Sequence, residues 1–316
     1  MNGQIACQSN CLRRVNCKLK LLFHLKSSGQ LQIFNDQKTL ILPDSYNIGW
    51  MATLDDNKLI SEITIPGTHD ALALHGGPLA KCQAWSLMDQ LKAGIRYFDL
   101  RVSGEGLKIK HGIFDQNITF PEVQNTIKIF LSAYPTEIVL VRVKPVSSLK
   151  KKVPDLVENK INKAISWVDS SMPRIGQVRG KIVYVQKNNF KLGVPLTETD
   201  EKGDYRVTNV EKKMKKIREH LDRAKESLKN GSRSLFMSYS SGTGIGTIVG
   251  LLKWLTPKRV AEKINPLLYN YLQCASNENP KPYFGIIAMD FPGFDLIQMV
   301  IDPTTESETN NLETAL

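Results

Sequence analysis

Phe120-Pro121-Glu122-Val123-Gln124-Asn125-Thr126-Ile127-Lys128-Ile129-Phe130-Leu131-Ser132-Ala133-Tyr134-Pro135-Thr136-Glu137-Ile138-Val139-Leu140-Val141-Arg142-Val143 passes from one hydrophobic period to another. Val123, Ile127, Phe130 and Leu131 recur on one helical face, and Pro121 falls where a first helical turn tolerates a missing amide hydrogen. Ile138 to Val143 is an almost uninterrupted apolar, mostly β-branched run, which suits a strand buried on both faces. A helix handing over to such a strand is the repeating unit of a parallel sheet.

The same alternation extends in both directions. Upstream, Ile63-Thr64-Ile65 reads as a strand ending at Pro66-Gly67, Ile95 to Arg101 as a second, and Leu107 to His111 as a third. Downstream come strands at Lys181 to Val185, Leu235 to Tyr239 and Gly285 to Phe291, a charged amphipathic helix from Asn209 to Leu228, and a helical Leu296 to Ile301. Seven or so such units in about 260 residues predict an α/β protein, an irregular TIM-type (β/α) barrel forming one catalytic domain over residues 46–302. No internal repeat is visible. Residues 1–45 carry six Lys/Arg against two Asp without a sustained period, and are expected to form a basic extension outside the core. The Ser/Thr/Glu/Asn-rich residues 303–316 are expected to form a frayed polar tail.

The chain has 316 residues, 41% hydrophobic and 23% charged, enough apolar material for one large core. No apolar run approaches the roughly 18 residues of a membrane span, so membrane contact is expected to be peripheral. A net charge of +11 attracts anionic lipid head groups and nucleic acid alike. No nucleic-acid module or basic–aromatic stripe accompanies it, and no nucleic-acid partner is expected. Of five cysteines, Cys7, Cys11 and Cys17 crowd the N-terminus without a second zinc-spaced cluster, while Cys82 and Cys274 lie far apart. That pattern is unlike a secreted disulfide framework. The apolar run from Leu19 to Leu25 is short and broken by Lys20, and Asn2 stands where myristoylation requires glycine. A cytoplasmic monomer, peripheral at membranes, is the expectation. Secretion stays open, and only then would Asn117-Ile118-Thr119 be a glycosylation sequon.

A barrel carries its active residues at the C-terminal ends of its strands. Those ends hold Thr68-His69-Asp70, Asp99 and Arg101, His111, Lys144 and Asp290. Any one of them alone is more simply a structural residue, and Asp99 and Arg101, two apart on one strand face, could be an ion-pair network. Five strand ends with ionisable side chains are harder to assign to packing, because buried charge is costly unless paired. The set suits phosphoryl transfer, which needs a base, an acid and fixed positive charge over the non-bridging oxygens. His69 and His111 can exchange protons near neutral pH, Asp70, Asp99 and Asp290 can orient them, and Arg101 offers a permanently charged fork. Hydrolytic metal sites gather several carboxylates instead, so neither metal nor cofactor is expected.

Ile65-Pro66-Gly67-Thr68-His69-Asp70, the Ala93 to Arg101 strand and Lys110-His111-Gly112 resemble the X-domain of phosphatidylinositol-specific phospholipases C. The resemblance continues through Pro135-Thr136-Glu137-Ile138-Val139 to Lys144, Gly180-Lys181-Ile182-Val183, Ile264-Asn265-Pro266 and Ala288-Met289-Asp290-Phe291, covering about residues 50 to 301. It is closer to the bacterial-type enzymes, since Arg101 resembles the arginine that replaces calcium. The resemblance implies His69 as general base on the inositol 2-hydroxyl, paired with Asp290. It implies His111, assisted by Asp70, as the acid that protonates the diacylglycerol oxygen. Arg101 would contact the phosphate and the 2-oxygen, Asp99 would support the site, and Lys144 would contact inositol. The implied reaction forms an inositol 1,2-cyclic phosphate that is hydrolysed more slowly.

The departures concern the head group. Lys187 stands near the place of an inositol-binding arginine and offers only a point charge. Tyr205 resembles a tyrosine that stacks on inositol, while the neighbouring acidic ligand is either Asp204 or missing. Ile245 to Leu255, followed by Trp254-Leu255-Thr256-Pro257-Lys258-Arg259, reads either as a rim element entering the head-group zone or as a helix covering the sheet. Arg13 to Lys26 is a second basic–apolar candidate, and the lysines around Glu211 to Lys216 read as a solvated face. Two rival readings stand beside the phospholipase: a metal-dependent barrel phosphodiesterase for another head group, and a catalytically silent barrel that binds inositol lipid or a protein.

Overall fold

A computed structural model describes residues 31–146, 151–187, 190–200, 204–278 and 281–302. Most of the basic extension, with Cys7, Cys11, Cys17 and the Arg13 to Lys26 segment, and the tail at 303–316 lie outside the described residues. In chain order come β1 (Ile65–Thr68), α1 (Leu87–Ala93), β2 (Tyr97–Ser103), β3 (Lys108–His111), β4 (Phe114–Thr119), α2 (Phe120–Ala133) and β5 (Val139–Val146). Then follow α3 (Val153–Glu158), β6 (Ser166–Trp167), α4 (Ile175–Val178), β7 (Ile182–Gln186), β8 (Val194–Glu198) and α5 (Val210–Lys229). The chain continues through β9 (Leu235–Tyr239), α6 (Ile248–Leu252), α7 (Pro257–Ala275), β10 (Ile286–Met289) and α8 (Phe294–Ile301).

Among the described residues, seven parallel strands close into the expected irregular barrel in the order β1-β10-β9-β8-β7-β5-β2, with β2 returning to β1. The closing seam is narrow, pairing only Gly67 with Tyr97 and Thr68 with Phe98. Glycine is required there: a Cβ on Gly67 would come within 2.6 Å of the Tyr97 ring. The opposite edge of β2 is broad, running from Tyr97↔Leu140 to Ser103↔Val146. Helix α2 begins where Pro121 predicts it, with the Thr119 backbone amide donating to Glu122 Oε2 at 2.7 Å.

Three expectations change. The Leu107 to His111 strand is not a barrel stave. As β3 it runs antiparallel to β2 and to β4, because the Gly104–Leu107 link is too short for the crossover a parallel partner needs. Residues 31–45 do not stand apart from the core: Ile33, Leu40 and Leu42 pack against it, and the Gly293 amide donates to Ile33 O at 3.0 Å. They follow it as irregular chain, which leaves no period to read. The lysine-rich face of α5 is only partly solvated, since Lys213 is 4% exposed.

At the N-terminal end of the strands, Arg96 and Glu137 form a wholly buried pair, with Arg96 Nε donating to Glu137 Oε2 at 2.8 Å. The guanidinium also donates to the carbonyls of Leu91 (2.6 Å), Ile95 (2.9 Å) and Ile48 (2.7 Å), while Met51 N donates to Glu137 Oε1 at 3.1 Å. This cluster ties the segment before β1 to the starts of β2 and β5. Glu137→Ala strands the arginine without its carboxylate and is expected to cost about 3–5 kcal/mol in chemical denaturation. Arg96→Met/Glu137→Leu removes both charges together and is expected to recover part of that loss.

Candidate active site

β1 delivers His69, whose amide still donates to Met289 O on β10 at 2.9 Å. The chain then turns sharply: Asp70 has φ +40°, a left-handed conformation that Asp tolerates better than most residues. Ala71 N donates to Asp99 O at 3.0 Å, so the turn is pinned to β2. Gln83 Nε2 donates to both His69 O (2.8 Å) and Met289 O (2.9 Å). Asn265 Nδ2 on α7 donates to the carbonyls of Asp290 and Phe291, each at 3.0 Å, and so positions the loop after β10.

These anchors bring five of the anticipated side chains together. His69 Nδ1 lies 2.9 Å from Asp290 Oδ1, and His69 Nε2 lies 3.3 Å from Asp70 Oδ2. His111 approaches the same Asp70 oxygen with its Nε2 at 3.2 Å, while its Nδ1 is 2.6 Å from Ala80 O. A carbonyl can only accept, so Nδ1 of His111 carries the hydrogen and Nε2 is its working nitrogen. Arg101 Nε pairs with Asp70 Oδ1, and its Nη2 lies 3.4 Å from His69 Nε2. The Asp70 side chain is 2% exposed, against 18% for His69, 21% for His111 and 23% for Arg101. The carboxylate is therefore sealed beneath three groups that remain reachable from the barrel mouth.

Burial by itself would push the His69 imidazole down, but the carboxylates of Asp70 and Asp290 outweigh it and hold its pKa above the ordinary value. Burial raises Asp290. Burial would lower Arg101, and Asp70 and Asp99 overcome it to raise the guanidinium. Asp99 goes the other way: burial opposes its charge, and Arg142 and Arg101 together lower its pKa. His69, Asp70 and Cys82 offer donor atoms within 4.8 Å of one another, but Arg101 already stands against the first two.

A second group lies on β2, β5, β8 and β9, and most of it escapes sequence reading. Asp99 is 3.7 Å from Arg142 Nε and accepts from Tyr239 OH at 3.4 Å. Arg142 Nη1 reaches Glu198 Oε1 at 2.8 Å and contacts the Tyr239 hydroxyl, and Lys187 pairs with Glu198. The Tyr239 ring packs edge-on against His69, with centroids 5.4 Å apart and planes at 84°. Arg142 interrupts an apolar run, which was its one signal. Glu198 ends a strand disguised by Pro195, and Tyr239 ends a recognised strand without being an obvious acid or base. Lys144 sits beside Arg101 in register, lowered by burial and by that arginine. Tyr205 is not brought to the histidines by any described contact; it is 53% exposed with Arg206 over its ring. Asp204 is buried against His220 (3.1 Å) and Lys216.

Helix α6 and the turn after it leave Ile248 80%, Leu252 82% and Trp254 51% exposed. A helix covering the sheet would bury such residues, and here they face solvent.

Residues 57–188 match the family described as Phosphatidylinositol-specific phospholipase C, X domain. A 1-phosphatidylinositol phosphodiesterase of Listeria monocytogenes is 26% identical over 313 residues, spanning 90% of this chain and 94% of that protein. The solved structure of the phosphatidylinositol-specific phospholipase C from Listeria monocytogenes superposes with a TM-score of 0.70 at 26% identity, covering 82% of this chain and 99% of the other. Residues 57–188 thus resemble that X domain, and the likeness to the Listeria monocytogenes enzyme extends along most of the chain. A Staphylococcus aureus 1-phosphatidylinositol phosphodiesterase is 24% identical, over 80% of this chain and 93% of its own length. A Staphylococcus aureus phospholipase C of the family shares the fold, with a TM-score of 0.67 at 23% identity over 82% of this chain and 98% of that one.

The charge around His69 has a direct test. Asp290→Asn removes a carboxylate that favours the imidazolium, so the His69 titration followed by NMR is expected to move to lower pH. An unmoved midpoint would show that Asp290 does not set it.

Proposed function

We propose that this protein is a phosphatidylinositol-specific phospholipase C that releases diacylglycerol and an inositol 1,2-cyclic phosphate. The observation that carries the proposal is the convergence of two imidazole Nε2 atoms on one buried carboxylate, beside a guanidinium. His69 donates its Nδ1 hydrogen to Asp290, leaving Nε2 to take the proton of the inositol 2-hydroxyl. The 2-oxygen attacks phosphorus as the bond to the glycerol oxygen breaks. His111, with Nδ1 held on Ala80, delivers a proton from Nε2 to that leaving oxygen. Asp70 lies against that nitrogen and holds the proton until it is needed. Arg101 takes charge developing on the non-bridging oxygens in a partly closed site, where such stabilisation is worth more than in water. In the slower second step the roles reverse: His111 activates water and His69 returns a proton to the 2-oxygen.

Head-group contacts belong to the same proposal. Lys144 beside Arg101 and the Lys187–Glu198 pair would meet inositol hydroxyls, with Asp99 holding the charge balance beneath and Tyr205 available to stack on the ring. Membrane contact would be peripheral. No helix among the described residues is long and apolar enough to cross a bilayer. The exposed Ile248, Leu252 and Trp254, next to Lys253, Lys258 and Arg259, suit insertion at an anionic interface. Ile113, two residues from His111, is 86% exposed and offers a further apolar side chain near the acid.

His69→Ala and His111→Ala are each expected to lower phosphatidylinositol cleavage by at least about 10²-fold while leaving the circular dichroism spectrum unchanged. Robust turnover in either variant would refute its role. With Arg101 supplying the positive charge, wild-type protein incubated with phosphatidylinositol vesicles and EDTA should still produce cyclic inositol phosphate by phosphorus NMR. Activity lost in EDTA and restored by magnesium or calcium would favour a metal-dependent barrel phosphodiesterase. Lipid binding without turnover would favour a silent barrel.

A further inference from the structure

Lys213, Lys216 and His220 lie on one face of α5, and each meets a polar group at the barrel rim. His220 is 2% exposed and is held between two carboxylates: Nδ1 lies 2.8 Å from Asp200 Oδ1 and Nε2 lies 3.1 Å from Asp204 Oδ2. Lys216 pairs with Asp204 as well. Lys213 Nζ donates to the Asp204 carbonyl at 3.1 Å and to the Tyr239 carbonyl at 3.4 Å. Asp200 Oδ1, the atom facing His220, also accepts from Tyr239 N at 3.1 Å.

Both backbone polar groups of Tyr239 are thus tied to α5, the amide through Asp200 and His220 and the carbonyl through Lys213. Two buried side chains of α5 converge on the end of one strand, Lys213 directly and His220 through Asp200. Burying them is costly unless each is fully partnered. The residue they fix is the one whose ring packs edge-on against His69 at 5.4 Å and whose hydroxyl reaches Asp99 at 3.4 Å and Glu198 at 3.5 Å.

We propose that His220 is a positioning residue for the reaction: with Lys213, it clamps Tyr239 so that the tyrosine ring holds His69 in its working orientation. The proposal rests on the reading of His69 as the base. His220 never touches substrate in this account; its effect passes through Asp200 and Tyr239. Small displacements of a reacting group carry large rate penalties, so a clamp one layer removed can matter to turnover without changing affinity.

The test uses the full chain with His220→Gln, Lys213→Met and Tyr239→Leu, alone and in pairs with Tyr239→Leu. His220→Gln is expected to lower kcat on phosphatidylinositol about 10–100-fold with KM nearly unchanged. In the Tyr239→Leu background the same substitution should cost far less, since the residue it acts through is gone. Lys213→Met approaches Tyr239 from its carbonyl side and should show the same signature, so a poorly folded His220 variant does not shield the idea. A readout independent of turnover is the NMR position of the His69 ring protons, identified by their loss in His69→Ala. They sense the Tyr239 ring current and should move in His220→Gln and Lys213→Met, while the His111 signals stay in place. Wild-type kcat in both variants, losses that multiply in the double variants, or unmoved His69 signals would overturn the clamp. Should wild-type protein fail to cleave phosphatidylinositol, the functional reading falls, and the His69 signals still decide the clamp.

Discussion

Asp70 is a carboxylate with almost no contact with water, and it must be neutralised where it stands. Three groups do so: Arg101 from β2, His69 from the end of β1, and His111 from the β3–β4 hairpin. They come from separate stretches of chain, so satisfying one buried charge fixes how the hairpin lies over the barrel mouth and how the two imidazoles face one another. The left-handed turn at Asp70 aims the carboxylate inward, and the Ala71–Asp99 backbone bond holds that turn to β2.

The same rule governs the barrel interior. Asp99, Arg142, Glu198, Lys187 and Tyr239 form a chain of partners from β2 across β5 to β8 and β9. A charge in that interior is tolerated only as part of a network, and the network doubles as scaffolding for the groups above it. The far end of the barrel carries an equivalent, Arg96 with Glu137, remote from the histidines. One end of the barrel thus has its charges fully enclosed, and the other has them sealed on one side and reachable on the other. That asymmetry separates a structural cluster from a site.

Much of this was legible in the chain. The change of period between Phe120 and Val143 marked a helix and a doubly buried strand, and both lie close to where the pattern put them. His69, Asp70, Arg101, His111 and Asp290 were visible as ionisable residues where apolar runs end, and they do come together. Less legible were residues whose local pattern resembles something else. Pro195 hid β8 and with it Glu198, the apolar run around Arg142 masked a buried arginine, and the lysines around Glu211 to Lys216 looked like a solvated face although Lys213 is buried.

By itself the sequence determined the periods, and therefore the alternating strands and helices, their closure into a single barrel, and the chemical types available at the strand ends. Those are consequences of local spacing and of which side chains can be buried alone. Tertiary structure decided which partner each charge takes. It made the Leu107 to His111 strand a hairpin rather than a stave, placed both imidazoles on one oxygen of Asp70, and tied Tyr239 to α5. The reason is physical: pairing a buried charge depends on groups far apart in the chain, with His69 and Asp290 separated by 221 positions, and no local period encodes such a distance.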